Sequence, residues 1–166
     1  MNFLELAKKR YSARTYSDKS VEREKLDALL YAAQLAPTAA NFQPVRLIVV
    51  QEKSGLEKIG KAANIYGAPL AVIVCADKEK AWQRPFDGMR TTDIDASIVT
   101  DHMMLCAADL GLDSVWICYF KPDVLKAEFN LPQNLIPVNI LAIGYSDEQP
   151  LEKKRLPVNE LVIGEF

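Results

Sequence analysis

The sequence predicts an α+β or α/β domain with about four strands, because short β-branched runs alternate along it with segments of helical period. Its 166 residues suit a single domain over 1–166, and no linker, repeat or composition shift divides them. Apolar residues make up 49% and charged residues 25%, proportions that exclude disordered and low-complexity classes. Twenty Lys and Arg against 22 Asp and Glu leave a formal charge of -2, which offers no global field to nucleic acid or an acidic membrane. No apolar run reaches the length of a membrane span, and the start, Met-Asn-Phe-Leu-Glu-Leu, lacks the pattern of a signal peptide. A cytoplasmic protein is expected, with neither nucleic acid nor membrane as partner.

The elements follow in chain order. Asn2 with Glu5 makes a capping box for a short helix carrying Phe3, Leu6 and Ala7. Ser20 is the expected cap of a second helix, in which Leu26, Leu29, Leu30 and Ala33 keep helical spacing until Pro37 stops it. Val45 to Gln51 reads as a strand, and Ser54-Gly-Leu-Glu57 as a capping box opening a helix that reaches Asn64. Pro69 introduces a second strand, Leu70 to Cys75. A long helix from Asp93 to Leu110, a strand from Ser114 to Tyr119, a short helix with Pro122 first, and a strand from Val138 to Ile143 complete the series.

The Asp93 to Leu110 helix has two apolar faces. Measured from Ile94, Ile98 and Leu105 fall within about 40°, whereas Ala96, Val99, Met103, Cys106 and Leu110 fall between about 120° and 200°. Asp95, His102 and Asp109 form a polar stripe between them. One face can meet the sheet and the other a second layer or a twin subunit. The tail ends in Val158, Leu161, Val162, Ile163 and Phe166, which also need cover. Cys75, Cys106 and Cys118 sit among apolar neighbours and read as reduced core thiols.

Familiar catalytic motifs are missing: there is no dinucleotide-binding glycine turn, no P-loop and no nucleophile elbow. The single histidine, His102, lies mid-helix, two turns from Asp95 and Asp109, too far to build a compact metal site with them. No metal is expected, and attention passes to chemistry that a bound cofactor supplies. Lys8, Lys9, Arg10 and Arg14 surround Ser12, and Lys153, Lys154 and Arg155 lie near the other terminus. Alone, the first group fits a helix C-terminus and the second a solvated loop; together they suit a doubly charged phosphate. The segment Pro37-Thr38-Ala39-Ala40-Asn41-Phe42-Gln43-Pro44 holds two primary amides between two prolines. Such amides can read the alternating carbonyl and N–H edge of a flavin pyrimidine, although a connecting turn also favours these residues. Trp82, Arg84 and Phe86 lie in a non-periodic stretch that reads either as a lid over a substrate pocket or as a plain surface loop.

Arg10-Tyr11-Ser12-Ala13-Arg14, the loop from Pro37 to Pro44, and Lys153-Lys154-Arg155-Leu156-Pro157 resemble, in order and separation, the motifs of the FMN-dependent nitroreductase family. The resemblance covers nearly the full chain and extends to Ala107 to Leu112, Trp116-Ile117 and Ile143-Gly144-Tyr145. It implies an α+β fold with a mixed, mainly antiparallel sheet flanked by helices, and a homodimer that exchanges C-terminal arms. It implies that Arg10, Ser12, Lys153 and Arg155 hold the FMN phosphate, with Arg14 near the ribityl chain or pyrimidine edge as electrostatic support. Tyr11, Ile117 and Gly144 join the expected cofactor contacts, and Pro37, Thr38, Ala39, Asn41 and Gln43 line the flavin from the opposite subunit. It further implies ping-pong transfer of electrons from NADH or NADPH to a nitroaromatic, quinone or similar small acceptor. Tyr11 departs from a position that is often basic, and the chain is short for the family, which suggests an open substrate pocket. A non-catalytic FMN carrier or regulator of the same fold is the alternative.

Overall fold

The computed structural model describes residues 2–166. Helix α1 (Phe3–Lys9) begins with the expected capping box, the Asn2 side chain accepting from the Glu5 N–H and Glu5 reaching back to the Asn2 N–H. Helix α2 (Arg23–Leu35) leads through a single 3-10 turn (Ala39–Asn41) to strand β1 (Val45–Val50) and helix α3 (Lys53–Gly60). Strand β2 (Leu70–Asp77), helix α4 (Thr92–Asp109), strand β3 (Asp113–Ile117) and helix α5 (Pro122–Glu128) follow. Strand β4 (Leu135–Gly144) and a one-turn helix α6 (Val158–Leu161) end the series.

The four strands pair in the order β1-β2-β4-β3, every neighbour antiparallel. Among the described residues the one parallel pairing is an isolated bridge of Ser12 to Ser114 on the outer edge of β3. Alternation along the strands sends side chains to two cores. Leu70, Val72, Val74, Leu141 and Ile143 pack with Leu26 and Leu29 of α2 and Val99 and Met103 of α4. Ala71, Ile73, Ile140 and Ala142 face Ile59 of α3 and Leu125 of α5 on the other side. The β2 and β4 ladder shifts register between Val74 and Cys75, opposite Pro137, which has no N–H to give a regular ladder.

Two expected helix starts move. Helix α2 begins after Glu22 rather than at Ser20, because Val21 is drawn into the core and the chain stays extended up to it. Helix α3 begins after Glu52, so Ser54 lies inside its first turn and caps nothing; it stops at Gly60, well before Asn64. A Cβ at Gly55 would stand 2.6 Å from Val50 Cγ1, so the helix leaves β1 too closely for a loop to intervene.

One face of α4 is core, with Ala96, Val99, Met103 and Ala107 buried, while Ile94 on the other is 48% exposed. Asp95, placed by periodicity in the polar stripe between the two apolar faces, is fully buried. Cys75 alone among the cysteines is a core thiol, its pKa pushed up to about 11 by burial. Cys106 is half-buried and Cys118 exposed, since β3 ends at Ile117 and Cys118 lies past it. The C-terminal tail leaves its apolar side chains in water, with Val158, Leu161, Ile163 and Phe166 all exposed.

Candidate functional site

The two terminal cation groups meet. Helix α1 ends at Lys9, and the returning chain after β4 lays Lys153 against that end, where its ammonium donates to the carbonyls of Ala7, at 3.4 Å, and Lys8. Those carbonyls are among the unpaired acceptors that close any helix, so the lysine is fixed by α1 itself. Arg10, Lys153 and Arg155 then line one cavity of about 700 Å³, floored by Leu4 and Ala7. Burial and the two neighbouring guanidinium groups hold the Lys153 pKa below its usual value. None of the three cations has an ion-pair partner among the described residues. Glu152 also lines the cavity but pairs with none of the three, and crowded, unpaired cations make a site chemically matched to a dianion such as a phosphate.

The rest of the N-terminal motif supports this corner. The Ser12 backbone pairs with Ser114, and the Ala13 N–H donates to the Ser114 carbonyl at 3.1 Å, which fixes the segment along the edge of β3. Arg14 is exposed, its guanidinium donating to the Ser12 carbonyl at 3.3 Å and its N–H to the Glu148 carboxylate at 2.8 Å. Tyr11 gives its hydroxyl to the Glu148 carbonyl at 3.1 Å, and burial is the main reason its pKa is raised. Ile117 is buried at the far end of β3. Four residue steps separate it from Asp113, about 13 Å of strand. Gly144 is buried where Pro69 and Tyr16 close in: a Cβ there would lie 2.7 Å from Pro69 Cδ and 2.9 Å from Tyr16 Cδ1.

The loop between the two prolines is a built structure. Ala40, Asn41 and Gln43 all adopt left-handed φ, at 50°, 57° and 49°, a conformation that non-glycine residues rarely take. The Gln43 N–H donates to the Thr38 hydroxyl at 3.0 Å and its side-chain amide to Asn41 Oδ1 at 2.9 Å, so the two amides meet each other. Pro37, Asn41 and Gln43 are exposed, and Thr38 and Ala39 half-buried. Thr38 and Gln43 open onto an apolar groove of about 290 Å³ between α2 and the free edge of β1, with Arg46 on its rim. Asp95 anchors this loop by accepting the Ala39 N–H at 2.8 Å. Sequence reading missed that role, because helical periodicity cannot say which backbone group a polar residue will meet.

The third predicted group forms a hairpin. Gln83 bridges Arg90, the Arg84 N–H donates to the Met89 carbonyl, and the Arg84 guanidinium is paired with Asp87, so its charge is used within the loop. Trp82 is half-buried, and Phe86 stands at the tip, 93% exposed. His102 turns Nδ1 toward the Ile98 carbonyl of its own helix, at 2.9 Å.

The cation cavity and the amide loop lie at opposite ends of α4. Asp95 in its first turn holds the loop, whereas Ala108 in its last turn lies beside Lys9 and Arg10. The interval is about 20 Å of helix rise.

The fold is of the α+β class, an antiparallel sheet flanked by helices with these two surfaces at opposite ends of α4, and comparison with known proteins specifies it. The sequence profile of the nitroreductase family matches residues 7–65 and 57–145. A crystal structure of a nitroreductase family protein from Clostridium difficile 630 superposes with a TM-score of 0.97 at 59% identity, covering 100% of this chain and 99% of that one. An FMN-dependent nitroreductase from Clostridium difficile R20291 gives a TM-score of 0.81 at 32% identity, covering 99% and 100%. The FMN reductase [NAD(P)H] of Bacillus subtilis strain 168 is 30% identical over 165 residues, 88% of this chain and 66% of its own. The chain belongs to the nitroreductase family, and membership carries an oxidoreductase role.

Proposed function

We propose that the protein is an FMN-dependent oxidoreductase that takes electrons from NADH or NADPH and passes them to a nitroaromatic, quinone or similar small acceptor. The observation that carries this reading is the convergence of Arg10, Lys153 and Arg155, three cations without an anionic partner, in one cavity. They would hold the phosphate, and the edge of β3 from Ser114 to Ile117 would run beside the rest of the cofactor. FMN, when bound, supplies reversible hydride and electron transfer at its ring. The chain's own part is to bind, orient and exclude water, and the Arg14 guanidinium, held by the Ser12 carbonyl, would favour negative charge on a pyrimidine edge brought beside it.

A homodimer with exchanged C-terminal arms completes the proposal. The amide loop stands a helix length from the cation cavity of its own chain, so a second copy is the natural source of a loop for each cavity. The open face of α4 at Ile94 and the exposed tail at Val158, Leu161, Ile163 and Phe166 offer the apolar surface such a dimer buries. Trp82 and Phe86 would bound the acceptor pocket, with Arg84 held by Asp87 as part of the hairpin's frame. A cytoplasmic location accords with this chemistry.

The visible spectrum of the purified protein, recorded anaerobically before and after NADH or NADPH, tests the reading. Flavin absorbance that bleaches with the nucleotide and returns with a quinone or nitroaromatic supports the enzyme. Bound flavin that never bleaches makes the protein a carrier, and no uptake of FMN removes the reading altogether.

A further inference from the structure

Building on the flavin reading, we propose that Asp95 is a positioning residue that ties the flavin-reading loop and the Trp82–Arg90 hairpin to one buried carboxyl group. Asp95 is 0% exposed and has no cation partner among the described residues. A carboxyl group in such a place is costly unless its oxygens are matched by donors. Each oxygen takes one, from a different segment of chain. Oδ1 accepts the Ala39 N–H at 2.8 Å, and Oδ2 accepts the Thr91 hydroxyl at 2.9 Å. Thr91 is itself buried, and its N–H donates to the Trp82 carbonyl at 3.1 Å. A continuous line of hydrogen bonds therefore runs from Ala39 through Asp95 and Thr91 to Trp82.

Both ends of that line need an anchor. Ala39 immediately precedes the left-handed residues Ala40 and Asn41, so the bond to its N–H sets where the strained run begins and which way the amides face. At the other end, Trp82 opens the hairpin that carries exposed Phe86. Asp95 also sits on α4, the longest helix, whose Ala96 and Val99 are locked into the core. The loop on the cofactor side and the hairpin on the acceptor side thus take their position from the same rigid element, through one side chain.

The test compares Asp95→Ala, Asp95→Asn and Thr91→Val with the wild type. Hydrogen exchange is followed in flavin-free protein for peptides 37–44 and 82–91, and affinities are measured for FMN and riboflavin. D95A is expected to speed exchange in both segments and to weaken FMN and riboflavin by the same factor of about ten, since the phosphate cavity is untouched. D95N keeps an oxygen for the Ala39 N–H and should restore both affinities to within about threefold of wild type. T91V should speed exchange in 82–91 and leave 37–44 unchanged. Unaltered exchange in either segment of D95A, a loss confined to FMN, or a D95N as weak as D95A would each overturn the proposal. Should D95A fail to fold, T91V decides by whether the hairpin alone is loosened, and D95N by whether flavin affinity survives. If even the wild type takes up no flavin while D95A still loosens both segments, the flavin reading falls and the structural link stands.

Discussion

Arg155 is exposed, and its guanidinium otherwise meets only the carbonyl of its neighbour Lys154, at 2.8 Å, so the cation cavity is where its charge can act. Replacing it with Ala should weaken FMN by about tenfold to a hundredfold, the worth of a charge-assisted contact, and leave riboflavin nearly unchanged. Parallel fluorescence titrations with the two flavins check this. Lys153 adds a pH signature: its pKa lies below the 10.5 of an ordinary lysine, through burial first and then Arg10 and Arg155. The advantage of FMN over riboflavin should therefore fade at a lower pH than 10.5 as Lys153 loses its proton, and Lys153→Arg should preserve it. Titrations repeated on the alkaline side read the difference. Gly144 makes a different prediction, because Pro69 and Tyr16 already occupy the space of a side chain. Gly144→Ala should cost about 1 to 3 kcal/mol by overpacking, measured by denaturant unfolding. The terminal cations were legible as a cluster from sequence alone, because charge and order suffice to suggest a shared anion. The use of Asp95, and the internal pairing of Arg84 with Asp87, were not, since both depend on which neighbour the fold delivers.

Strands were easier to read than helix starts. The β2 run from Leu70 is buried on both faces and reads as uninterrupted apolar sequence, so its identity survives any error at its ends. Ser20 and Ser54 looked like caps, yet burial of Val21 and the close approach of Gly55 to Val50 decided the boundaries instead. A contact between the ends of two helices was equally hidden. Tyr145, just past β4, donates its hydroxyl to Glu22 before α2 and accepts from Lys25, whose ammonium also donates at 2.8 Å to the Leu110 carbonyl closing α4. The Tyr145 hydroxyl, a backbone N–H and Lys19 together hold the Glu22 pKa at about 2, below the ordinary 4.5. A depressed carboxylate pKa contributes stability that is complete above 4.5 and is lost as pH falls toward about 2. Tyr145→Phe should therefore lower the Tm at neutral pH, and its gap from wild type should close across that acid window, as calorimetry at a series of pH values would show.

For the whole molecule, the exposed tail and the separation of loop from cavity belong to one prediction. Deleting residues 158–166 should weaken dimerisation and FMN binding together, because each flavin would lose the loop that a second copy brings. Sedimentation velocity and flavin titration of the truncated protein check both, and a full-length monomer that binds FMN tightly would refute the shared site. The strand order has a consequence for how the chain acquires its shape. In β1-β2-β4-β3 the last strand made stands between the second and the third, and among the described residues β3 has no other strand neighbour. During synthesis β1 and β2 can join early, but β3 must wait, already translated, until residues 135–144 emerge. A chain released before Leu135 would hold the β1-β2 pair and an unjoined β3, each with bare edges, so products stalled there are the ones that chaperones and proteases should meet.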